Sequence, residues 1–313
     1  MHLFELTRVP VAARTPSVPE SSVPQWALGC FRRRSISFFT GEVDDTTEVL
    51  WLQSRGLSAD FRRVPGTPAC ESLRALGERS PAELLALARV EGGLARTRWD
   101  GQAMRWSDWV SFQTHGKWPE PGRLERVGNC LIEFAPSGAY VEDWRWQPSG
   151  AGALIGLSLI EEKNVESGAV LYRGGGLIVC GCHAAFVRGR AQELPFGQPL
   201  PDFLQAHPGD ASALGTAFSC DAAFGTASSE QGDFVVTLGT LPWRLGQSLL
   251  NLEGFSYPTA DGEVLQYLEA EGRRIERRFL VDTLEGDFQG SSATLPSPSA
   301  RAWLERERAA LLG

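Results

Sequence analysis

From residue 35 to residue 282 the chain is a succession of short apolar runs, each closed off by Gly, Pro, Asn, Asp or Ser. Runs this short cannot bury a helical face, and several alternate apolar with polar residues. That rhythm restricts the fold to antiparallel β structure. In the first half the pattern predicts strands at 35–41, 47–54, 57–64, 94–99, 105–113, 129–134 and 140–146. In the second half it predicts 153–161, 169–172, 177–182, 184–190, 217–225, 233–241, 247–255, 263–270 and 273–282. Gly174-Gly175-Gly176 reads as a turn, and 191–212 as a proline-rich crossing with one helical turn. Only two helices are signalled. Ser80, Pro81 and Glu83 form a capping box that opens a helix over 81–91, stopped by Gly92-Gly93. Its Leu84, Leu85, Leu87 and Ala88 are expected to cover a barrel end or wall. Ser297-Pro298 opens the other helix, over 298–312, with Trp303, Leu304 and Leu311 to dock it.

Meandering strands without βα alternation close into barrels, which also removes exposed sheet edges. The expected fold is mainly β: two antiparallel barrels with a short capping helix and a C-terminal helix. The boundaries are an irregular arm over 1–29, a first barrel over 30–150, a second over 151–289, and a linker with the last helix over 290–313.

Composition narrows the function. The net charge of −8 speaks against nucleic acid, whose phosphates need a basic face. No apolar run approaches the ~18 residues of a membrane span, so no membrane partner is expected. Glu5 and Arg8 interrupt the apolar start and prolines follow it, unlike a signal peptide. The six cysteines (30, 70, 130, 180, 182, 220) are too sparse for a disulfide scaffold, so a cytoplasmic protein with free thiols is expected. There is no P-loop, no GxGxxG after a strand, no GxSxG and no HExxH, and no cofactor is expected. Cys180, Cys182 and His183 lack a second pair of ligands, so the two cysteines read as a buried strand and no metal is expected. The positive charge is almost all arginine, with Lys117 and Lys163 the only lysines. Arginine's planar fork suits a carboxylated ligand; a general compositional bias gives the same count.

Six of the ten tryptophans fall between Trp99 and Trp146, together with His115. Aromatics among isolated charges suit either a large core or a pocket for an organic ligand. Asp60 and Arg62 are two apart on a strand and share a face, either as ligand contacts or as a structural ion pair. Glu142 shares its face with Tyr140, Trp144 and Trp146, and desolvation there is expected to raise its pKa toward that of a general acid or base. Asp143 and Arg145 point the other way. His115 and Trp118 stand on a loop over 114–122. Arg32-Arg33-Arg34 reads as a solvated strand edge.

The preferred reading is binding of a small, largely apolar or aromatic metabolite. Trp106, Trp109, Trp144 and Trp146 would form the walls, and Asp60, Arg62, Tyr140, His115 and Glu142 the polar contacts. The first alternative is a cofactor-independent isomerase, cyclase or lyase with Glu142 or His115 as the acid or base. The second is a protein-interaction scaffold with filled barrels.

Asp60-Phe61-Arg62, Trp106 with Phe112-Gln113, Tyr140-x-Glu142-x-Trp144 and Thr240-Leu241-Pro242-Trp243-Arg244 resemble, in the same order, the fungal HRI family and its bacterial relatives. The resemblance spans residues from about 30 to 285. It implies two calycin-like (lipocalin-like) barrels and a cavity, with no established reaction. In the bacterial pattern a His-Arg pair follows the tryptophan and an acid precedes Phe-Gln. Here those positions are Ser107, Asp108 and Ser111, so the relatives' polar groups there are not carried over.

Overall fold

The computed structural model describes residues 1–8, 22–66, 76–116, 120–228, 233–270, 272–290 and 296–312. Nine strands build the first sheet: β1 (Gly29–Phe38), β2 (Val43–Asp44), β3 (Glu48–Gln53), β4 (Leu57–Arg63), β5 (Glu91–Trp99), β6 (Ala103–Ser111), β7 (Gly122–Val127), β8 (Cys130–Phe134) and β9 (Tyr140–Gln147). β2 is a flap on the end of β1. The other eight pair antiparallel in sequence, and β1 also pairs with β9, which closes the barrel. Alternation decides what goes inside: along β9, Tyr140, Glu142, Trp144 and Trp146 are buried while Val141 is exposed.

The second sheet has seven antiparallel strands: β10 (Ala151–Asn164), β11 (Val170–Cys180), β12 (His183–Arg190), β13 (Asp221–Ala227), β14 (Phe234–Gly239), β15 (Glu263–Ala270) and β16 (Arg273–Gln289). Their order is β14-β13-β12-β11-β10-β16-β15. The edges β14 and β15 do not pair with each other. Ser248 makes a bridge to Val235 on β14 and Phe255 makes one to Gln266 on β15, so the chain between them links the two edges.

The second sheet lies against the outside of the barrel. Leu57, Ala59 and Phe61 of β4 and Leu94 of β5 join one core with Ile178, Val187, Ala222 and Phe224. The Phe61 and Phe224 rings meet edge-on at 6.1 Å. A polar pin sits beside this seam: Asp282 of β16 accepts from Ser54 Oγ at 2.9 Å and from the Gly56 amide at 3.1 Å. Burial raises its carboxyl above the usual range, against these hydrogen bonds.

Among the described residues there are four α-helices: α1 (Pro81–Leu87), α2 (Leu200–Ala206), α3 (Ala211–Ala217) and α4 (Pro298–Leu312). The expected capping box is present, with the Glu83 amide donating to Ser80 Oγ and the Ser80 amide to Glu83. Leu87 and Ala88 pack with Phe112, Leu200, Phe203 and Phe218 as a small core between α1, α2 and α3.

Several local expectations are corrected. Gly92 and Gly93 do not follow the helix as a stop; they lie inside β5. The three glycines 174–176 are no turn, because β11 runs through them on a bulge. Gly174 and Gly175 have φ of 72° and 106°, and a Cβ at Gly175 would stand 2.1 Å from the Val187 carbonyl oxygen. The crossing segment holds two helices rather than one turn, and 247–255 is bridged at its ends rather than paired as a strand. Strand β7 was not expected at all. The start of the arm is core: Leu3 and Leu6 are fully buried under the second sheet, and the Leu3 amide donates to the Leu252 carbonyl at 2.7 Å. Residues 9–21 and 291–295, with Cys70 and Trp118, lie outside the described residues. Trp303 does not dock α4, being half exposed; Ser297 and Ser299 hold its start through Glu125 of β7. The Leu311 side chain lies outside the described residues. Among the described residues no helix is long and apolar enough to cross a membrane.

Candidate functional site at the barrel mouth

Two adjacent hollows share Asp60, Arg62, Trp106 and Trp109 in their walls. The inner one is lined by residues from β3, β4, β6, β8 and β9, strands from opposite sides of the barrel, so it lies in the barrel interior. Its volume is about 40 Å³, room for little more than a water. Aromatic rings fill the rest: Trp51 meets Phe31 at 5.2 Å, Trp144 at 5.4 Å and Trp106 at 6.5 Å. The outer hollow measures about 510 Å³, within the range of small-molecule pockets. It opens between β4–β6 of the barrel and β11–β12 of the second sheet, with the chain after β12 on its rim.

Trp106 and Trp109 both line this outer cavity, although residues three apart on a regular strand face opposite sides. A bulge resolves the conflict. Pairing between β5 and β6 shifts from Leu94↔Val110 to Arg96↔Ser107, so Asp108 and Trp109 together oppose one residue. Asp108 takes the turn with φ of 51°, the sole non-glycine at positive φ among the described residues. Bulges of this kind re-aim side chains and concentrate beside functional sites. Trp109 is left 46% exposed.

Asp60 and Arg62 form a two-point ion pair, Nε to Oδ1 at 2.8 Å and Nη2 to Oδ2 at 3.2 Å. Burial works against the Arg62 charge, but Asp60, with Glu142 beyond it, outweighs this and raises its pKa. His115 lines the outer cavity, and its Nδ1 is buried with no hydrogen-bond partner among the described residues. Gln113 stands near it on the same wall. Its amide nitrogen donates to the Ala88 and Val90 carbonyls, both at 2.7 Å, while its buried Oε1 has no partner among the described residues. Unpaired buried polar atoms are costly and are rare in folded proteins.

Of the other expected residues, Tyr140, Glu142 and Trp144 reach only the inner hollow, and Trp146 reaches neither. Trp146 packs instead over Gly29 and Gly290 as core. Glu142 is paired with Arg33 at 3.0 Å, and Arg33 reaches on to Asp44 at 2.7 Å. Arg33 is therefore buried inside the barrel, correcting its reading as a solvated edge. Glu133, directly opposite Glu142 across β8 and β9, is a carboxyl whose pKa is raised well above the usual range. Burial is the main cause and the neighbouring Glu142 charge the next. Glu133 accepts from Trp144 Nε1 at 3.2 Å and from the Tyr140 hydroxyl at 3.4 Å. Tyr140 is pushed up too, by burial and then by Glu133.

The second sheet contributes groups that no local pattern announced. Arg173, Arg190 and the exposed Phe196 line the outer cavity. Arg190 is nine-tenths buried and gives its donors to the carbonyls of Ser111, Phe112, Thr216 and Ala217. Desolvation lowers its pKa. Cys180 is buried, its thiol pushed up to about 12 by desolvation. Among the described residues no three His, Cys, Asp or Glu side chains stand together as metal ligands.

Fold and site define a closed eight-strand β-barrel, backed by a second antiparallel sheet, with a solvent-connected cavity at the seam. No protein-family model matches the chain, and no curated protein matches it. Among solved structures it is similar to an uncharacterized protein of Saccharomyces cerevisiae, with 12% identity and a TM-score of 0.45. That match covers 82% of this chain and 98% of the yeast chain.

Proposed function

We propose that the protein binds a small organic molecule with an aromatic part in the cavity at the barrel mouth. The observation that carries this reading is the bulge at Asp108, which spends backbone strain to bring Trp106 and Trp109 onto one wall of a 510 Å³ space. The Gln113 and His115 side chains line the cavity and each keeps a buried polar atom without a partner among the described residues, which a small side-chain shift would offer to a ligand. The binding place is thus the seam of the barrel, not its indole-filled interior. The finer architecture we read as two calycin-like barrels, the second closed through the bridges at Ser248 and Phe255 instead of by a full strand. Native mass spectrometry of protein purified from cells, and quenching of tryptophan fluorescence on adding candidate ligands, test the proposal. Trp109→Ala is expected to weaken ligand binding about tenfold or more, the loss of one stacked aromatic contact. Unchanged binding in that variant would refute the site.

One observation favours catalysis as a second reading. Glu133 is a carboxyl beside the inner hollow whose pKa burial raises well above the usual range, hydrogen-bonded to Tyr140 and Trp144. In a cofactor-independent isomerase or lyase it, rather than Glu142, would be the general acid. The inner hollow is too small for an organic substrate, so this route requires Trp106 and the Asp60–Arg62 pair to swing aside. Product formation from the bound ligand, lost in Glu133→Gln with binding retained, would establish it.

A further inference from the structure

We infer that the ligand of the barrel-mouth cavity is an anion, a planar aromatic carboxylate whose charge is read by Arg173; this rests on the binding role proposed above. The argument is a balance of charge around the cavity. Asp60 is answered by Arg62 within the wall. Arg190 is a buried guanidinium whose partners are four neutral carbonyls, and among the described residues no carboxylate pairs with it. Carbonyls take four of its five N–H hydrogens but leave its positive charge unbalanced in a desolvated place, where a nearby anion is favoured.

Arg173 is the second unbalanced cation. It lines the same cavity, is exposed, and makes no ion pair or hydrogen bond among the described residues. The acid opposite it across the ladder, Glu161, is already taken by Arg278 at 3.2 Å. A free guanidinium at the mouth of a cavity offers a planar fork that fits a carboxylate at two points. Two acids temper the field. Glu91 lies among the charges that raise Arg62, and Glu193 is exposed at the rim. Gly189 lets β12 pack closely on β11 beside Arg173, for a Cβ there would stand 2.3 Å from the Arg173 carbonyl oxygen and 2.6 Å from Val110. The indoles of Trp106 and Trp109 then lie opposite as stacking surfaces, which fixes the rest of the ligand as flat and aromatic.

The experiment is calorimetric titration with matched pairs: benzoate, 1-naphthoate and indole-3-acetate, each against its neutral carboxamide, at low and at physiological salt. At least one carboxylate is expected to bind tenfold or more tightly than its amide, with the margin shrinking as salt rises. Arg173→Gln, an exposed substitution, is expected to erase the margin by weakening the carboxylate tenfold or more, with the amide weakened far less. Equal affinities in the native protein, or a margin that survives Arg173→Gln, would overturn the inference and leave the binding role standing. No binding by any of the six probes at millimolar concentration overturns both readings.

Discussion

Each sheet buries a cluster of ions, and the two clusters carry opposite surpluses. Inside the barrel, Arg33 and Arg62 face four carboxyls: Asp44, Asp60, Glu133 and Glu142. On the face of the second sheet turned away from the barrel, Arg188, Arg244 and Arg277 face only two, Glu162 and Asp221. The barrel relieves part of its surplus at Glu133, whose pKa burial and then the Glu142 charge raise well above the usual range, favouring its neutral form. The second sheet has no such recourse, since a guanidinium does not give up its proton in proteins. It spreads the charge over neutral partners: the Gln266 carbonyl takes Arg277 at 3.0 Å, and the Tyr172 and Phe186 rings lie beside Arg188 and Arg277. Burial nevertheless lowers Arg277, and Arg188 and Arg244 nearby add to this. An acid surplus is thus relieved chemically, an arginine surplus only by packing. The two halves should differ in which loss they tolerate.

The largest effect is expected where an acid is removed from the cluster that lacks acids. Glu162 accepts from Arg277 Nε at 2.6 Å and twice from Arg188 at 3.3 Å, and is 3% exposed. Glu162→Gln leaves three guanidiniums with Asp221 as their one carboxylate, and Arg277 with no ion pair among the described residues, and should cost about 3–5 kcal/mol, as a broken buried pair does. Urea unfolding measures this; a loss below about 1 kcal/mol would mean the arginine surplus is not the constraint. Glu142→Gln is the matched change in the barrel. There Arg33 keeps Asp44 and Arg62 keeps Asp60, so each arginine still has a carboxylate and a smaller loss of about 2 kcal/mol is expected by the same measurement.

Glu133→Gln should reverse the sign. The unfolded chain ionises this carboxyl near its ordinary value of about 4.3. In the folded barrel, burial and then Glu142 hold it protonated well above that. Above pH ~4.3 the unfolded state therefore binds fewer protons than the folded one, and stability declines as pH rises toward the folded value. Glutamine keeps an acceptor for Trp144 and carries no charge. The variant should match the native protein near pH 4 and exceed it by about 1 kcal/mol or more at pH 8, the equivalent of one pKa unit. Parallel melting curves from pH 4 to pH 8 would expose the error if the two proteins decline together.

The contrast also explains how far the sequence could be read. Strand alternation identified the inward face of β9, and the capping box located α1, because both are local. Glu133 had a local signal too: Leu131 and Glu133 alternate inward on β8, and a hairpin centred on 136–138 places Glu133 opposite Glu142. Its register could have been counted across the turn. Arg173 and Arg190 had no such signal, since they meet the barrel only once the second sheet packs on it. Trp146 was misplaced because alternation gives the inward face but not the depth along the barrel. Strand β7 was missed for a physical reason: its Arg123, Glu125 and Arg126 interrupt any apolar run, and Arg126 is nonetheless buried, its guanidinium donating to the Trp26 carbonyl.

The smallest effect tests the bulges that shape the cavity from both sides. The second sheet bends at Gly174 and Gly175, where positive φ carries little strain. The barrel bends at Asp108, where the same conformation on an L-residue costs about 1 kcal/mol. Among the described residues the Asp108 side chain makes only a 3.2 Å contact with the Ser107 hydroxyl and a 3.9 Å approach to Arg96, both exposed. Asp108→Gly should therefore raise stability by about 0.5 kcal/mol, the relief of strain less the added freedom of glycine in the unfolded chain. It should leave the tryptophan environment unchanged. Asp108→Val cannot adopt the turn without greater strain and should lose about 1–2 kcal/mol, with Trp109 emission moving as the ring leaves the cavity wall. If valine were tolerated with the native emission spectrum, the bulge would not be what brings Trp106 and Trp109 together, and the barrel side of the site would need another explanation.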